Sequence, residues 1–252
     1  MSVVLPHSGR RVPCEQCPLR PMPRFRKFEP AELKFVSSFK TGELVAETGT
    51  TILMEGSHSA HLYTVLSGWA FRYKSLEDGR RQILNYMLPG DLVGLQGSVI
   101  GEMDHSVEAL TSVVLCVFQR DRIGELFKNH DGLAYDVTWL ASREERMLDD
   151  HLLSLGRRTA LERAAYLIAF LYQRAIAVGL GTRGSKIEIP ISQNHVADTL
   201  GLSIVHTNKT LKKLADRKLI AWRDRTCDVL DFDGLSDAAG WTPEKEGIRP
   251  LI

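Results

Sequence analysis

Basic and amide side chains are concentrated between Ser203 and Arg225, where they could bind a polyanion. From Lys209 to Arg225 the chain carries seven basic residues and two acidic ones, although the net charge of all 252 residues is only +1. Lysine and arginine neutralise phosphate groups, and asparagine and lysine side chains can hydrogen-bond to base edges. This composition indicates a nucleic-acid contact, and a solvated helix face is the alternative interpretation.

A pair of thiols near the N-terminus could bind a metal or undergo redox chemistry. Cys14 and Cys17 are two of four cysteines, with Cys116 and Cys227, which is too few for a disulfide-dense secreted framework. A C-x-x-C pair can ligate one metal centre or form a redox pair. The sequence shows neither the strand–helix context of a thioredoxin-like site nor the second C-x-x-C of a zinc ribbon, so both chemistries stay open.

No catalytic constellation is visible in the sequence. It contains no nucleophile elbow, no P-loop and no H-E-x-x-H motif. His58 and His61 could be considered as haem ligands, although a histidine pair in a predicted loop more often lies on the surface. We therefore expect a binding protein and not an enzyme.

The composition is that of a globular chain. With 44% hydrophobic residues, the chain can form one large core or two moderate ones. It has no apolar run of about 18 residues, which a membrane span would require, and no long apolar segment after its basic start. We expect a cytoplasmic protein without a secretory signal or a membrane partner.

Two short helices are predicted around the basic segment. Ser192 is a suitable N-cap for the first, which Gly201 ends in a position suited to a tight turn. Ser203 caps the second helix, and its apolar face is predicted to consist of Thr207, Leu211 and Leu214. Two short helices joined around a glycine predict a helix-turn-helix. Residues 219–222 and 229–232 then flank the polar turn 224–226, as in a hairpin that would form a wing.

The elements that must position this motif lie upstream. Residues 1–28 contain six basic residues, one acidic residue and a high density of prolines, which predicts an irregular arm. Residues 29–39 have the period of a short amphipathic helix. Between residues 44 and 118, short apolar runs are separated by regularly spaced glycines, which is typical of an antiparallel β-barrel or jelly roll.

Helical periodicity returns from about residue 120 to residue 156. An apolar seam along it could be covered by a second copy of the helix, as in a coiled-coil-like homodimer, or by the helix's own domain. The predicted dimerisation residues are Leu133, Val137, Leu140, Met147, Leu148 and Leu152. A further helix over 159–178, a loop over 179–185 and a strand over 187–190 lead into the helix-turn-helix.

Three motifs resemble those of a known family. They are Leu-Ser-Gly-Trp-Ala at 66–70, Asp-Gly-Arg-Arg-Gln at 78–82 and Leu-Pro-Gly-Asp-Leu-Val-Gly-Leu at 88–95. With the helix-turn-helix and wing in the expected order, the chain resembles the Crp/Fnr family of bacterial transcription regulators over about residues 14–235.

The resemblance implies an α+β fold with a β-roll like that of cyclic-nucleotide-binding domains, a long dimerisation helix and a C-terminal winged helix-turn-helix. The implied segments are a cysteine-containing arm (1–28), a sensor roll (29–120), the dimerisation helix (121–156), the DNA-binding domain (157–235) and a tail (236–252). It also implies a homodimer that binds a two-fold operator in double-stranded DNA and contacts RNA polymerase.

The resemblance argues against cyclic AMP as the signal. In members that bind it, a glycine-acidic pair meets the ribose and an arginine-serine pair meets the phosphate. Gly90-Asp91 could stand for the first pair, but the second region reads Met-Asp-His-Ser at 103–106 and contains no arginine. A buried phosphate would then lack its charge-assisted partner.

The Fnr branch of the family suggests an iron–sulfur cluster instead. That branch holds a cluster through cysteines of the arm and one on a late strand, and Cys14, Cys17 and Cys116 occupy similar places. The third arm cysteine is absent, and Pro23 stands near its place. A carboxylate, a histidine or an outside ligand would have to complete the site, or there is no cluster. Cys227 on the wing is a poor fourth ligand.

By resemblance, the second helix enters the major groove with its N-terminal half against the bases. Val205 and Lys209 stand where the family commonly has an acidic residue and an arginine, so the usual Fnr or Crp half-site is not expected. The predicted DNA contacts are Ser192, Gln193, Asn194, Ser203, Val205, His206, Asn208, Lys209, Lys212 and Lys213.

The sequence therefore predicts a homodimeric DNA-binding regulator that senses a redox, oxygen or other non-cyclic-AMP signal through the roll. Two alternatives lack DNA binding: a thiol or iron–sulfur redox protein, and a nucleotide-binding regulatory module. The basic segment argues against the first, and the missing arginine near His105 argues against the second.

Overall fold

A computed structural model describes residues 12–182, 184, 187–223, 225–243 and 247–252. The chain forms two compact units. The first, here called the roll unit, comprises residues 12–74, 87–145 and 247–252. The second, the helix-turn-helix unit, comprises the described residues of 75–86 and 146–243. The boundary at 145/146 falls inside one long helix.

The first half of the chain is mostly strands. Its elements are α1 (Pro30–Phe39), β1 (Lys40–Ala46), β2 (Thr51–Leu53), β3 (His61–Ser67), β4 (Ala70–Ser75), β5 (Arg81–Met87), β6 (Leu92–Val93), α2 (Leu95–Val99), β7 (Ser106–Ala109) and β8 (Val113–Gln119). The strands form two four-stranded sheets, with orders β1-β8-β3-β6 and β2-β7-β4-β5. Every strand pair with a resolved register is antiparallel, which confirms the predicted roll.

The roll has an apolar core on each side of strand β8. Val113 and Leu115 point into the interior cluster, whereas Val114, Cys116 and Phe118 belong to a cluster on the outer face. This alternation follows from the two-residue period of a strand. The outer cluster is covered by side chains from the arm, the neighbouring helices and the segment 247–252.

Helices dominate the second half. The elements are α3 (Ile123–Asn129), α4 (Asp131–Arg157), α5 (Ala160–Ala177), β9 (Glu188–Ile189), α6 (Gln193–Leu200), α7 (Ile204–Asp216), β10 (Ile220–Arg223), β11 (Thr226–Val229) and α8 (Phe232–Ala239). Strands β10, β11 and β9 form a three-stranded sheet in that order. In the part of the chain that the structure describes, no helix is both long and apolar enough to cross a membrane.

Two features of this half differ from the sequence-based expectation. The single helix predicted from 120 to 156 is broken at His130, whose φ of −139° and ψ of 79° are not helical. The break falls in Asn-His-Asp-Gly, four weak helix formers in succession. Helix α8 was not predicted, although Asp231, whose side chain accepts the amide of Gly234, and the left-handed Gly240 mark its two ends.

Candidate nucleic-acid interface and sensor

Helices α6 and α7 begin at the predicted caps. The Ser192 hydroxyl accepts the amide of His195 at 3.2 Å, and His195 Nδ1 accepts the amide of Ser192 at 3.1 Å, which is a reciprocal capping arrangement. Gly201, with φ of +63°, ends α6. The Ser203 hydroxyl then accepts the amide of His206 at 3.3 Å and starts α7. These local contacts thus mark where α6 begins and ends and where α7 begins.

Helix α7 has one buried face and one exposed face. Its buried residues are Thr207, Thr210, Leu211 and Leu214. The predicted contact residues of this helix are all exposed: Ser203, Val205, His206, Asn208, Lys209, Lys212 and Lys213. At the start of α6, Asn194 is exposed, whereas Ser192 and Gln193 are half-buried. The basic flank of α7 is therefore turned away from the core of its own unit and is free to meet a polyanion.

The wing differs from its predicted boundaries. Strands β10 and β11 pair with Arg223 opposite Thr226, and Asp224 of the predicted turn lies outside the described residues. The predicted second strand, 229–232, is wrong beyond Val229 because Asp231 caps α8. Cys227 in β11 is fully buried, and burial raises the pKa of its thiol to about 12. Cys227 is therefore a buried core residue and not a surface thiol.

Within the helix-turn-helix unit, the segment 75–86 is bonded to helix α6. Arg81 Nε donates to Asp198 Oδ2 at 2.6 Å, and Gln82 Nε2 donates to the carbonyl of Thr199 at 2.7 Å. The hydroxyls of Tyr86 and Thr199 are 2.9 Å apart. We call these contacts the hairpin latch. Sequence reasoning used the Asp-Gly-Arg-Arg-Gln motif only as a family mark and did not find this role.

The interior of the roll has its own charged pair. Arg72 on β4 is buried, and its Nη2 lies 2.5 Å from Oε2 of Glu144 on α4. Burial, with a smaller contribution from the Arg72 charge, lowers the pKa of the nearby His105 to about 4. His105 is therefore neutral near pH 7 and supplies no cation for a phosphate. Arg72 is a residue that sequence reasoning missed.

Asp91, which the resemblance would place at a ribose, is engaged within the protein. Its carboxylate is 3% exposed and accepts the amide of Leu88 at 2.7 Å and Nη2 of Arg249 at 2.9 Å. Both oxygens therefore already have donors from the chain itself.

Three of the four thiols lie in one neighbourhood of the roll unit. Cys14 and Cys17 are half-buried against the outer cluster, which contains the buried Cys116. Burial raises the pKa of Cys116 to about 12, an effect that the nearby Lys40 charge opposes, and burial also raises the pKa of Cys14. Lys40 Nζ is itself 2.6 Å from Oε1 of Glu43.

The arrangement of these donors gives no preformed metal site among the described residues. Among the residues described, no group of three or more histidine, cysteine or acidic side chains is placed to hold a metal ion. The thiols with shifted pKa values, Cys14 and Cys116, are stabilised in the neutral form, whereas a metal binds thiolate. The assignment of Cys14, Cys17 and Cys116 as metal ligands stays a prediction, and no mechanistic step is derived from it.

Comparison with known proteins decides the family. A cyclic nucleotide-binding domain matches residues 43–130, and a Crp-like helix-turn-helix domain matches residues 162–238. The nitrogen fixation regulation protein FixK of Bradyrhizobium diazoefficiens is 32% identical over 209 residues, which are 82% of this chain and 86% of that protein. The chain belongs to the Crp/Fnr family.

Other members of the Crp/Fnr family match over most of their length. The transcriptional activator protein FnrL of Cereibacter sphaeroides is 27% identical over 241 residues, covering 94% of this chain and 95% of that protein. The structure of FixK2 from Bradyrhizobium japonicum has a TM-score of 0.69 at 25% identity and covers 81% of this chain and 98% of that chain. Like its family, the chain is a DNA-binding transcription regulator and not an enzyme.

The six predicted dimerisation residues differ in their exposure within the single chain. Leu133, Val137 and Leu140 are buried in the outer cluster of their own unit, and their assignment to a dimer interface stays a prediction. Periodicity gave the correct apolar face but could not show that the roll covers it. Met147 is also buried, whereas Leu148 is half-buried and Leu152 is 70% exposed.

Proposed function

We propose that this Crp/Fnr protein acts in the cytoplasm as a homodimer that reads a two-fold operator with helix α7 and recruits RNA polymerase. Its signal is redox, oxygen or another stimulus that is not cyclic AMP, and the roll receives it. Signal binding shifts the population of dimers whose two α7 helices can enter successive major grooves.

One observation carries the DNA-binding proposal. The exposed face of α7 combines Val205 and Asn208 with three lysines, directly opposite a fully buried face. Lysine can donate to guanine, asparagine pairs with adenine, and valine can contact a thymine methyl group. The N-terminal half of a recognition helix meets the bases. Lys209 is therefore assigned to a base, and Lys212, which lies about one turn after Asn208, to a phosphate.

Two lysine substitutions test this division. Lys209→Ala should relax base preference at one position of each half-site, at a cost of about 1–3 kcal/mol for the preferred base. Lys212→Ala should weaken all sequences alike and reduce the slope of log affinity against log salt by about 0.9 for each phosphate that is no longer neutralised, or about 1.8 for a dimer. Fluorescence anisotropy with operator variants at several salt concentrations measures both effects.

An exposed lysine of the roll unit supplies the matched control. Lys128 lies on α3, and Lys128→Ala removes the same charge from the other unit. It should leave specificity and the salt slope unchanged. Equal losses for Lys209→Ala and Lys212→Ala on every sequence would refute the assignment of the two lysines.

The proposal for the signal is supported by the thiols and the roll interior. His105 is neutral and Asp91 is engaged by Arg249, whereas three thiols are grouped in one place. Anaerobic purification followed by an absorption spectrum and an iron and sulfide assay tests the metal hypothesis. Cys116→Ser should abolish any iron found, and Cys227→Ser, a buried thiol of the other unit, should not.

A further inference from the structure

The segment 247–252 is part of the roll unit, although the residues before it belong to the helix-turn-helix unit. Its main chain is bonded to the N-terminal arm. The amide of Arg249 donates to the carbonyl of Arg24 at 2.8 Å, and the amide of Arg26 donates to the carbonyl of Arg249 at 2.8 Å. Arg249 and Phe25 thus form a parallel β-bridge, which places one residue of the segment in a fixed register.

The side chain of Arg249 enters a buried acidic position. It is 4% exposed, and its Nη2 donates to Asp91 Oδ1 at 2.9 Å and to the carbonyl of Gly90 at 2.8 Å. The guanidinium also lies 5.5 Å from the centre of the Phe25 ring. Nη1 of Arg143 is 3.8 Å from the same Asp91 oxygen. Removing Arg249 would therefore deprive this buried carboxylate of a cation that is directly hydrogen-bonded to it.

Two apolar residues complete the contact. Leu251 and Ile252 are 5% and 6% exposed and belong to the outer cluster, and the Thr64 hydroxyl donates to the main-chain oxygen of Ile252. Gly90, with φ of +86°, lies beneath them. A Cβ atom there would be 2.6 Å from the Phe25 ring and 3.6 Å from Leu251 Cδ1. The close approach of these side chains thus requires glycine.

A buried carboxylate, a strand-like main-chain edge and an apolar slot are the elements by which proteins recognise extended peptides. We propose that the roll unit carries a peptide-binding site specific for an arginine followed, two residues later, by Leu-Ile, and that residues 247–252 occupy it as an internal ligand. Because the chain returns to the roll unit before residue 247, the docked segment adds a further chain crossing between the two units to those at 74/75, 86/87 and 145/146.

Binding of the segment in trans is the direct test. A variant that lacks residues 247–252 should bind a labelled hexapeptide of sequence GIRPLI, as measured by fluorescence anisotropy. The intact protein should bind the same peptide at least about tenfold more weakly, because its own segment is present at high effective concentration. A peptide with alanine in place of its arginine should bind the shortened protein about tenfold or more weakly. Equal binding of the two peptides, or equal binding by the two proteins, overturns the proposal.

Amide hydrogen exchange on the intact protein gives a second test that does not depend on the folding of the shortened variant. The Arg249 amide should exchange about 100-fold more slowly than in the free hexapeptide, because it is bonded to Arg24. Gly90→Ala should remove that protection. Gly79→Ala is the matched control, since Gly79 has a φ of +84° but no atom within 4 Å of its Cβ position. Exchange at the free-peptide rate in the intact protein refutes docking.

A DNA-binding measurement separates this proposal from the proposed function, on which only its regulatory consequence rests. If the docked segment restrains the DNA-binding unit, release of the segment should change operator affinity by about threefold or more. Peptide binding with unchanged operator affinity would refute the restraint. Absence of operator binding by every variant would refute the proposed function and leave the peptide-binding result intact.

Discussion

A buried threonine of helix α7 provides a quantitative test of the recognition-helix packing. Thr207 is 1% exposed, and its hydroxyl has no hydrogen-bond partner among the described residues. Thr210, on the same helix, is 4% exposed, and its hydroxyl donates to the carbonyl of His206 at 2.9 Å. Valine has nearly the same shape as threonine. Thr207→Val and Thr210→Val therefore remove the same atom type from two similar sites that differ in hydrogen bonding.

The two substitutions should have opposite effects on the free energy of unfolding. Burying a hydroxyl without a partner costs about 1–3 kcal/mol, so Thr207→Val should stabilise the protein by about 1 kcal/mol after imperfect repacking. Thr210→Val removes a satisfied hydrogen bond and should destabilise the protein by about 0.5–1.5 kcal/mol. At about 2–4 °C per kcal/mol for a chain of this size, the two melting temperatures should lie several degrees apart.

Urea and thermal unfolding, followed by circular dichroism, measure this difference. Operator affinity should not change for either variant, because both side chains point into the core. If Thr207→Val destabilises the protein as much as Thr210→Val does, the Thr207 hydroxyl has a partner such as a buried water. That result would refute the predicted gain in stability.

Two further predictions concern helix α6. Burial, assisted by the charge of Arg81, lowers the pKa of His195 below its ordinary value of 6.5, so the unfolded chain binds its proton at a higher pH than the folded one does. Stability from this group is therefore present above about pH 6.5 and is lost as the pH falls toward the folded-state pKa, where protonated Nδ1 no longer accepts the Ser192 amide. His195→Gln should keep the cap and flatten the fall in the free energy of unfolding between about pH 7 and 5.5; an equally steep fall in the variant contradicts this. Arg81→Ala should cost about 0.5–1 kcal/mol in urea unfolding, because its pair with Asp198 is partly buried. Arg80→Ala, which breaks only an exposed pair, should have no measurable effect, and a loss equal to that of Arg81→Ala would count against the hairpin latch.

Local signals made the DNA-binding motif predictable from the sequence. Ser192, Gly201 and Ser203 each act within one helical turn, so their residue types are enough to place both helices of the motif. The opposite faces of α7 follow in the same way from a period of 3.6 residues. In contrast, the second strand of the wing was predicted too far along the chain. Asp231 is the N-cap of α8, but the apolar residues on either side of it have the same alternation as a strand.

Contacts between distant residues could not be predicted. Arg249 and Asp91 are 158 positions apart, and no local pattern marks either as the partner of the other. The same is true of Arg81 and Asp198, which are 117 positions apart. Helix periodicity showed that Leu133 lies on an apolar stripe but not that it packs in the outer cluster of the roll unit.

The hairpin latch determines which residues must be transferred when the helix-turn-helix is moved to another regulator. A graft of residues 187–243 alone would carry Asp198 and Thr199 into a new host without the arginine, glutamine and tyrosine that they meet here. Such a chimera would inherit the base preference of α7 but would lack three polar interactions on α6. A chimera that keeps these three interactions should therefore also contain residues 75–86 as a second, separate insert.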